Sequence, residues 1–306
     1  MDYDVIVVGA GMAGMTAAIY ARRAGKKVLV LESTMHGGQI VNTLRIENWP
    51  GDFGISGLDL TEKVFRQMKD LGAEIKYEIV EKIKKRDEKD FVVTTDDNEY
   101  VAKAVILAVG TGDRKMELAR EEELIGQGIS YCATCDGALY KGKSVAVVGG
   151  GNSALYEALY LADLAERVYV VHRRDEFRAD EVLVEKVQAK DNVEFELGFL
   201  PEEILGEEKV SGLKLVPSGL VKGVDEPCEL MVDGIFVAIG KQPLTDKFKK
   251  LVDLDEKGYI IADENCTTSC SGIFAAGDCR TKNVRQLVTA AADGAMAANQ
   301  AVQYLG

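Results

Sequence analysis

The sequence predicts an α/β protein built from two βαβ domains, one inserted into the other. Three observations carry that prediction. A short apolar run leads through glycines into an Ala-rich segment at Asp4–Gly25, and the same order returns from Lys143. Each copy is then followed by stretches that alternate apolar and polar residues, the pattern of antiparallel strands. The last sixty or so residues repeat neither pattern in full and are too few to make a third domain.

In order along the chain, "DVIVV" at 4–8 is continuously apolar, as a parallel strand buried on both faces must be. "GAGMAGMTAAIYARRAG" is a helix behind a glycine turn, and "KKVLVLE" is a second strand closing on Glu32. Antiparallel strands follow as far as "VILAVGTG" at 105–112, with the charge run Glu81–Asp90 read as a solvated hairpin turn. The second copy is the strand "KSVAVV", the turn and helix "GGGNSALYEALYLADLAE", and the strand "RVYVVHRR". More antiparallel strands run to "GIFVAIGKQP" at 234–243. A strand "GIFAAGD" and the helix "QLVTAAADGAMAANQAVQYL" are read as returning to the first domain. The expected domains are therefore 1–112 with 244–306, and 113–243.

Composition narrows the function classes. With 50 Asp and Glu against 37 Lys and Arg, the net charge is -13, which repels nucleic acid and anionic membranes over most of the surface. No stretch reaches eighteen apolar residues, and the N-terminus does not read as a signal peptide. A cytoplasmic location is expected, where six cysteines would stay mostly reduced. Only two histidines are present, so Ser/His and Cys/His systems and His-rich metal sites have few residues to draw on. The pair Cys132 and Cys135 is then either a redox dithiol or half of a zinc site. Zinc needs two more ligands, and the spaced pair Cys266 and Cys270 falls in the other domain, so no metal is expected.

Gly9, Gly11 and Gly14 carry the dinucleotide fingerprint of Rossmann-like, three-layer domains. The first makes the turn, the second admits a pyrophosphate, and the third lets helix and strand pack. Glu32, at the end of the next strand, suits the hydroxyls of an unphosphorylated ribose. Gly149 and Gly151 with Ala154 repeat the turn, but at the place of Glu32 stands His172, followed by Arg173, Arg174 and Arg178. Cations there accept a 2′-phosphate, which points to NADPH. One unphosphorylated dinucleotide held while NADPH comes and goes points to FAD.

In this order and spacing, "GAGMAG", "GGQ", "IENWPG", "CATCDG", "GGGNSA", "HRRDEFRA", "FAAGD" and "RQLVTAAADG" make a chain that resembles the low-molecular-weight thioredoxin reductases, flavoprotein disulfide reductases, over nearly its whole length. The resemblance implies that Gly9, Gly11, Met12, Ala13, Gly14 and Glu32 hold the ADP half of FAD, with Gly38, Gln39 and Asn48 along its flavin side. Gly277 and Asp278 would meet the ribityl or pyrophosphate region, and Arg285, Gln286 and Leu287 would begin the last helix and face the flavin. Gly149, Gly151, Asn152, Ser153, Ala154, His172, Arg173, Arg174 and Arg178 would hold NADPH. Cys135 would face the flavin, Cys132 would attack the disulfide of thioredoxin, and Asp136 would protonate the outgoing thiolate. The resemblance also implies a homodimer and a rotation of one domain against the other, with hinges near Gly112 and Gln242.

One position departs from the family: the glutamate usual three residues after the fingerprint Ser or Thr is here Tyr156, at the nicotinamide end. Two other readings keep the residues and change the role. In one the donor is ferredoxin or a deazaflavin, or the acceptor is a glutaredoxin-like or small-molecule disulfide. In the other the protein is a nucleotide-bound redox sensor whose Cys pair reports without turnover.

Overall fold

A computed structural model describes residues 2–43, 45–86 and 90–306. The chain divides into two compact units, Met1–Gly112 with Gln242–Gly306, and Asp113–Lys241.

The first unit opens with β1 (Asp2–Val8), α1 (Met12–Arg23) and β2 (Val28–Glu32), followed by α2 (Gly57–Asp70) and β3 (Glu74–Tyr77). β4 (Val80–Lys85), β5 (Phe91–Thr95) and β6 (Glu99–Leu107) complete its first stretch; residues 87–89 of the predicted hairpin turn lie outside the described residues. The sheet runs β3-β2-β1-β6-β5-β4, parallel from β3 to β6 and antiparallel beyond. Because β1 is buried on both faces, its residues feed two cores. Val5 and Val7 join the helix side with Met15, Ala17 and Ala298, while Ile6 and Val8 join the side that holds Phe91, Val93 and Phe248. Each such side chain is worth about 1.5–3 kcal/mol of burial, which explains the unbroken apolar run.

β7 (Thr111–Asp113) leads out into the second unit. There β8 (Ile129–Ser130), α3 (Ala133–Asp136), β9 (Ser144–Val148), α4 (Asn152–Ala162), β10 (Arg167–His172), α5 (Glu181–Gln188) and β11 (Val193–Leu197) follow in turn. β12 (Phe199–Leu205), β13 (Gly212–Pro217) and β14 (Cys228–Leu230) form an antiparallel layer, and β15 (Gly234–Val237) returns to the parallel sheet, whose order is β11-β10-β9-β15-β8. Val145 and Val147 pack against α4 and α5, and Ala146 and Val148 against the antiparallel layer. This unit is thus helix, parallel sheet and antiparallel sheet in three layers.

β16 (Lys241–Pro243) pairs with β7, so the outgoing and returning chain form one two-stranded ribbon. The return crossing lies at Lys241/Gln242, inside β16 and slightly ahead of the expected 243/244. β17 (Ile273–Ala275) then pairs with the C-terminal half of β6, and α6 (Leu287–Leu305) crosses α1. That crossing is backbone against backbone: a β-carbon on Gly294 would overlap the Ala13 carbonyl.

Candidate active site

In the first unit the chain leaves β1 through Gly9, at φ 103°, where the Ala108 carbonyl fills the space of any side chain. A β-carbon on Gly14 would overlap the Gly9 carbonyl, so the start of α1 lies directly on its own strand turn. α1 begins at Gly11 with no side-chain cap and no acidic residue in its first turn. Its leading amides therefore have no partner within the helix, unlike those of α2, where the Ser56 hydroxyl accepts the Asp59 N–H. Gly38 lies against Gly11 with only backbone between them.

Glu32 does more than end its strand. Its Oε2 accepts the Ala10 N–H at 2.7 Å and its Oε1 the Thr34 N–H at 3.1 Å, which ties the glycine turn to β2. Gln39 Nε2 donates to the Thr111 carbonyl at 3.3 Å and Asn48 Nδ2 to Gln286 Oε1 at 3.0 Å. Met12 and Ala13 are buried.

Asp278 follows Gly277 in a single 3-10 turn, and its Oδ1 is buried without a hydrogen-bond partner among the described residues. Burial pushes its carboxyl above the ordinary range, against the pull of Lys282 and Arg285. Leaving such an atom unpaired is costly, so this is where a ligand hydroxyl fits.

The expected start of the last helix needs correction. The backbone of Gln286 is extended, at φ -141° and ψ 160°, and the residue caps the helix through a reciprocal box with Thr289. Of the three residues expected to begin the helix, only Leu287 does. Arg285 lies outside it: its guanidinium bonds the carbonyls of Asp278 at 3.3 Å and Arg280 at 3.2 Å and lies 4.0 Å from the Tyr259 ring centroid.

The second unit has a cleft of about 470 Å³ over the Gly149–Gly151 turn. α4 starts at Gly151, again with no side-chain cap and no acid in its first turn. Arg173 and Arg178 line the cleft; Arg174 does not. Arg178 is fixed by its own N–H, which donates to the Gly150 carbonyl at 2.7 Å. None of the three guanidinium groups has a carboxylate partner among the described residues, although the chain has a surplus of carboxylates. Asn152 and Ser153 line the cleft too, and the Asn152 amide is bound at both ends by Asp180. Ala154 is buried under Gly149.

His172 lines the cleft as well. Burial, and then the charges of Arg173, Arg174 and Arg178, hold its imidazole below the ordinary range, against an opposing hydrogen bond with the Glu176 backbone. Its ring stacks on Phe177 at 5.7 Å between centroids, with Nε2 buried and unpartnered.

The Cys pair lies after β8 in the same unit. Cys132 caps α3, its sulfur accepting the Cys135 N–H at 3.2 Å, and the two sulfurs are joined as a disulfide with Cα atoms 5.3 Å apart. Asp136 Oδ2 accepts the Ser130 hydroxyl at 2.7 Å, and Ser130 Oγ in turn accepts the Cys132 N–H at 3.1 Å. One hydroxyl thus couples the carboxylate to the backbone of the first cysteine.

Two further residues of this unit carry no sequence signal. Arg114 lines the cleft from outside every glycine motif. Glu157, next to Tyr156, has Oε2 buried without a partner, and its carboxyl is pushed up to about 7 by burial and then by Asp113, against Lys241. Tyr156 itself is exposed.

An uncapped helix behind a glycine turn in each unit, with a redox disulfide in one of them, defines a nucleotide-dependent disulfide oxidoreductase. Residues 3–295 match the family model described as pyridine nucleotide-disulphide oxidoreductase. The chain is 45% identical over 306 residues to the thioredoxin reductase of Listeria monocytogenes, with 99% of this chain and 94% of that protein covered. Against that of Bacillus subtilis it is 44% identical over 305 residues, covering 99% and 95%. Among solved structures, Lactococcus lactis thioredoxin reductase superposes with a TM-score of 0.91 at 39% identity, covering 99% of each chain. The ferredoxin-flavin thioredoxin reductase of Clostridium acetobutylicum gives 0.54 at 34%, covering 99% and 97%. The chain belongs to the pyridine nucleotide-disulphide oxidoreductase family, on its thioredoxin reductase branch. It is an oxidoreductase acting on disulfides, and its family implies a flavin and a pyridine nucleotide. Among the described residues no helix is long and apolar enough to cross a membrane.

Proposed function

We propose that the protein is an NADPH-dependent thioredoxin reductase of the cytoplasm, working as a homodimer, with FAD in the first unit and NADPH in the second. The observation that carries this reading is the Cys132–Cys135 disulfide at a helix start, in the same unit as a cleft lined by arginines that have no carboxylate partner among the described residues. When bound, a flavin would supply the two-electron link between NADPH and the Cys132–Cys135 disulfide. The residues around it have simpler tasks. The uncapped starts of α1 and α4 bind pyrophosphates, Asp278 Oδ1 accepts a flavin hydroxyl, and Arg173 and Arg178 select the 2′-phosphate.

Once the pair is reduced, the Cys132 thiolate attacks the thioredoxin disulfide. Cys135 then displaces the second thiol from the mixed disulfide and restores the intramolecular bond. The N–H of Cys135, already directed at the Cys132 sulfur, stabilises the thiolate. Asp136 gives a proton to the departing sulfur. The crossings near Gly112 and Gln242 serve as hinges for this exchange.

The Clostridium relative is named for ferredoxin, which leaves another donor as the second reading. The unpaired arginines favour NADPH. Rapid mixing with NADPH should bleach the flavin, and turnover should follow when thioredoxin is added. Flavin that stays oxidised would dismiss NADPH as donor, and bleaching without thioredoxin turnover would leave a sensor or another acceptor.

A further inference from the structure

We propose that Arg114 is a second coenzyme clamp, binding the pyrophosphate that NADPH and NADH share rather than the 2′-phosphate. The inference rests on reading the cleft as the pyridine-nucleotide site. In the second unit β9 lies between β10 and β15. His172, Arg173 and Arg178 lie at or after the end of β10, on one side of the Gly149–Gly151 turn. Arg114 lies on the other, because its N–H donates at 3.0 Å to the carbonyl of Gly240, just beyond β15.

A dinucleotide laid over such a sheet crosses from one flank of the glycine turn to the other, with its pyrophosphate at the crossing. The ribose selected by Arg173 and Arg178 belongs to the β10 flank, so a cation on the β15 flank meets what lies beyond it. Arg114 is also free for that task. Both of its neighbours are ion-paired, Asp113 with Lys241 and Lys115 with Glu122, whereas the Arg114 guanidinium has no carboxylate partner among the described residues. An unpaired guanidinium suits a phosphate, which it can bind through two parallel hydrogen bonds.

Calorimetric titration of the flavin-loaded protein with three probes separates the two flanks. Arg114→Ala should weaken NADP⁺ and NAD⁺ by similar factors of about tenfold, the lower end for a charge-assisted bond at an exposed site. It should leave 2′,5′-ADP unchanged, because that probe keeps the adenosine-side phosphate of the pyrophosphate and lacks the nicotinamide-side phosphate toward the β15 flank. Arg173→Ala should weaken 2′,5′-ADP and NADP⁺ and spare NAD⁺. A loss of 2′,5′-ADP binding in Arg114→Ala equal to the loss of NADP⁺, or no change in any probe, overturns the assignment. A wild-type protein that binds no NADP⁺ overturns the NADPH reading beneath it.

Discussion

The imidazole of His172 lies flat against Gly150, so that a β-carbon on that glycine would overlap three atoms of the ring. Gly150 occupies a position of the fingerprint that in principle takes any residue, yet here the strand-end side chain requires glycine. Gly150→Ala forces either the ring or the turn to move, at a cost of roughly 1–3 kcal/mol for overpacking. The expected result is a KM for NADPH raised by about tenfold or more. Adding His172→Ala to the same chain should recover much of that loss. If the double variant is as impaired as Gly150→Ala, the ring is not what excludes the methyl group.

The buried, unpartnered Oδ1 of Asp278 makes opposite predictions for the empty and the loaded protein. Without flavin, burial disfavours its ionised form, so Asp278→Ala should stabilise the flavin-free protein, more at pH 8 than at pH 4. With flavin, the same change removes a charge-assisted hydrogen bond, a loss of about tenfold or more in affinity. Thermal melting of the stripped protein and the flavin-to-protein ratio after desalting measure the two effects. A variant that keeps its flavin contradicts the role given to Asp278.

The parts of this molecule that were legible in the sequence are those whose physics is local. A glycine turn must sit between a strand and a helix, and a run such as "DVIVV" must be buried on both faces. The arginines after His172 are visible as charges, but only the fold shows that Arg173 and Arg178 line the cleft with no carboxylate partner among the described residues. The packing of His172 against Gly150 and Phe177 has no local signal, because it depends on tertiary structure. Arg114 had no local signal, since a backbone bond to Gly240, far along the chain, brings it to the cleft. The placement of Arg285 failed for a smaller reason: helix starts are set by capping geometry, and Gln286 with Thr289 fixes this one after Arg285.

The bond from Ser130 to Asp136 separates two contributions to proton transfer. Asp136→Asn removes the acid and should lower thioredoxin turnover by about a hundredfold or more, within the range for a positioned general acid. Ser130→Ala keeps the acid but frees it from the Cys132 backbone, and should cost severalfold less than that. In both variants NADPH should bleach the flavin at the wild-type rate, since the acid acts only when a thiol leaves. Steady-state turnover beside rapid-mixing traces checks this. Slowed bleaching in Asp136→Asn would move its role to an earlier step.

Glu157 makes the stability of the protein fall as pH rises. Burial, and then Asp113, push its carboxyl from 4.5 up to about 7, against Lys241, which is itself paired with Asp113. Between those two values the folded protein holds a proton that the unfolded chain has released. The stabilising contribution is therefore complete below about 4.5 and is lost as pH climbs through about 7. A shift of that size corresponds to roughly 3–4 kcal/mol. Glu157→Gln keeps the shape and removes the titration. Its stability should match wild type near pH 4.5 and exceed it by about that amount at pH 8, measured by guanidinium denaturation followed by circular dichroism. A difference between variant and wild type that does not change with pH would show that Glu157 titrates in the fold as it does in the unfolded chain.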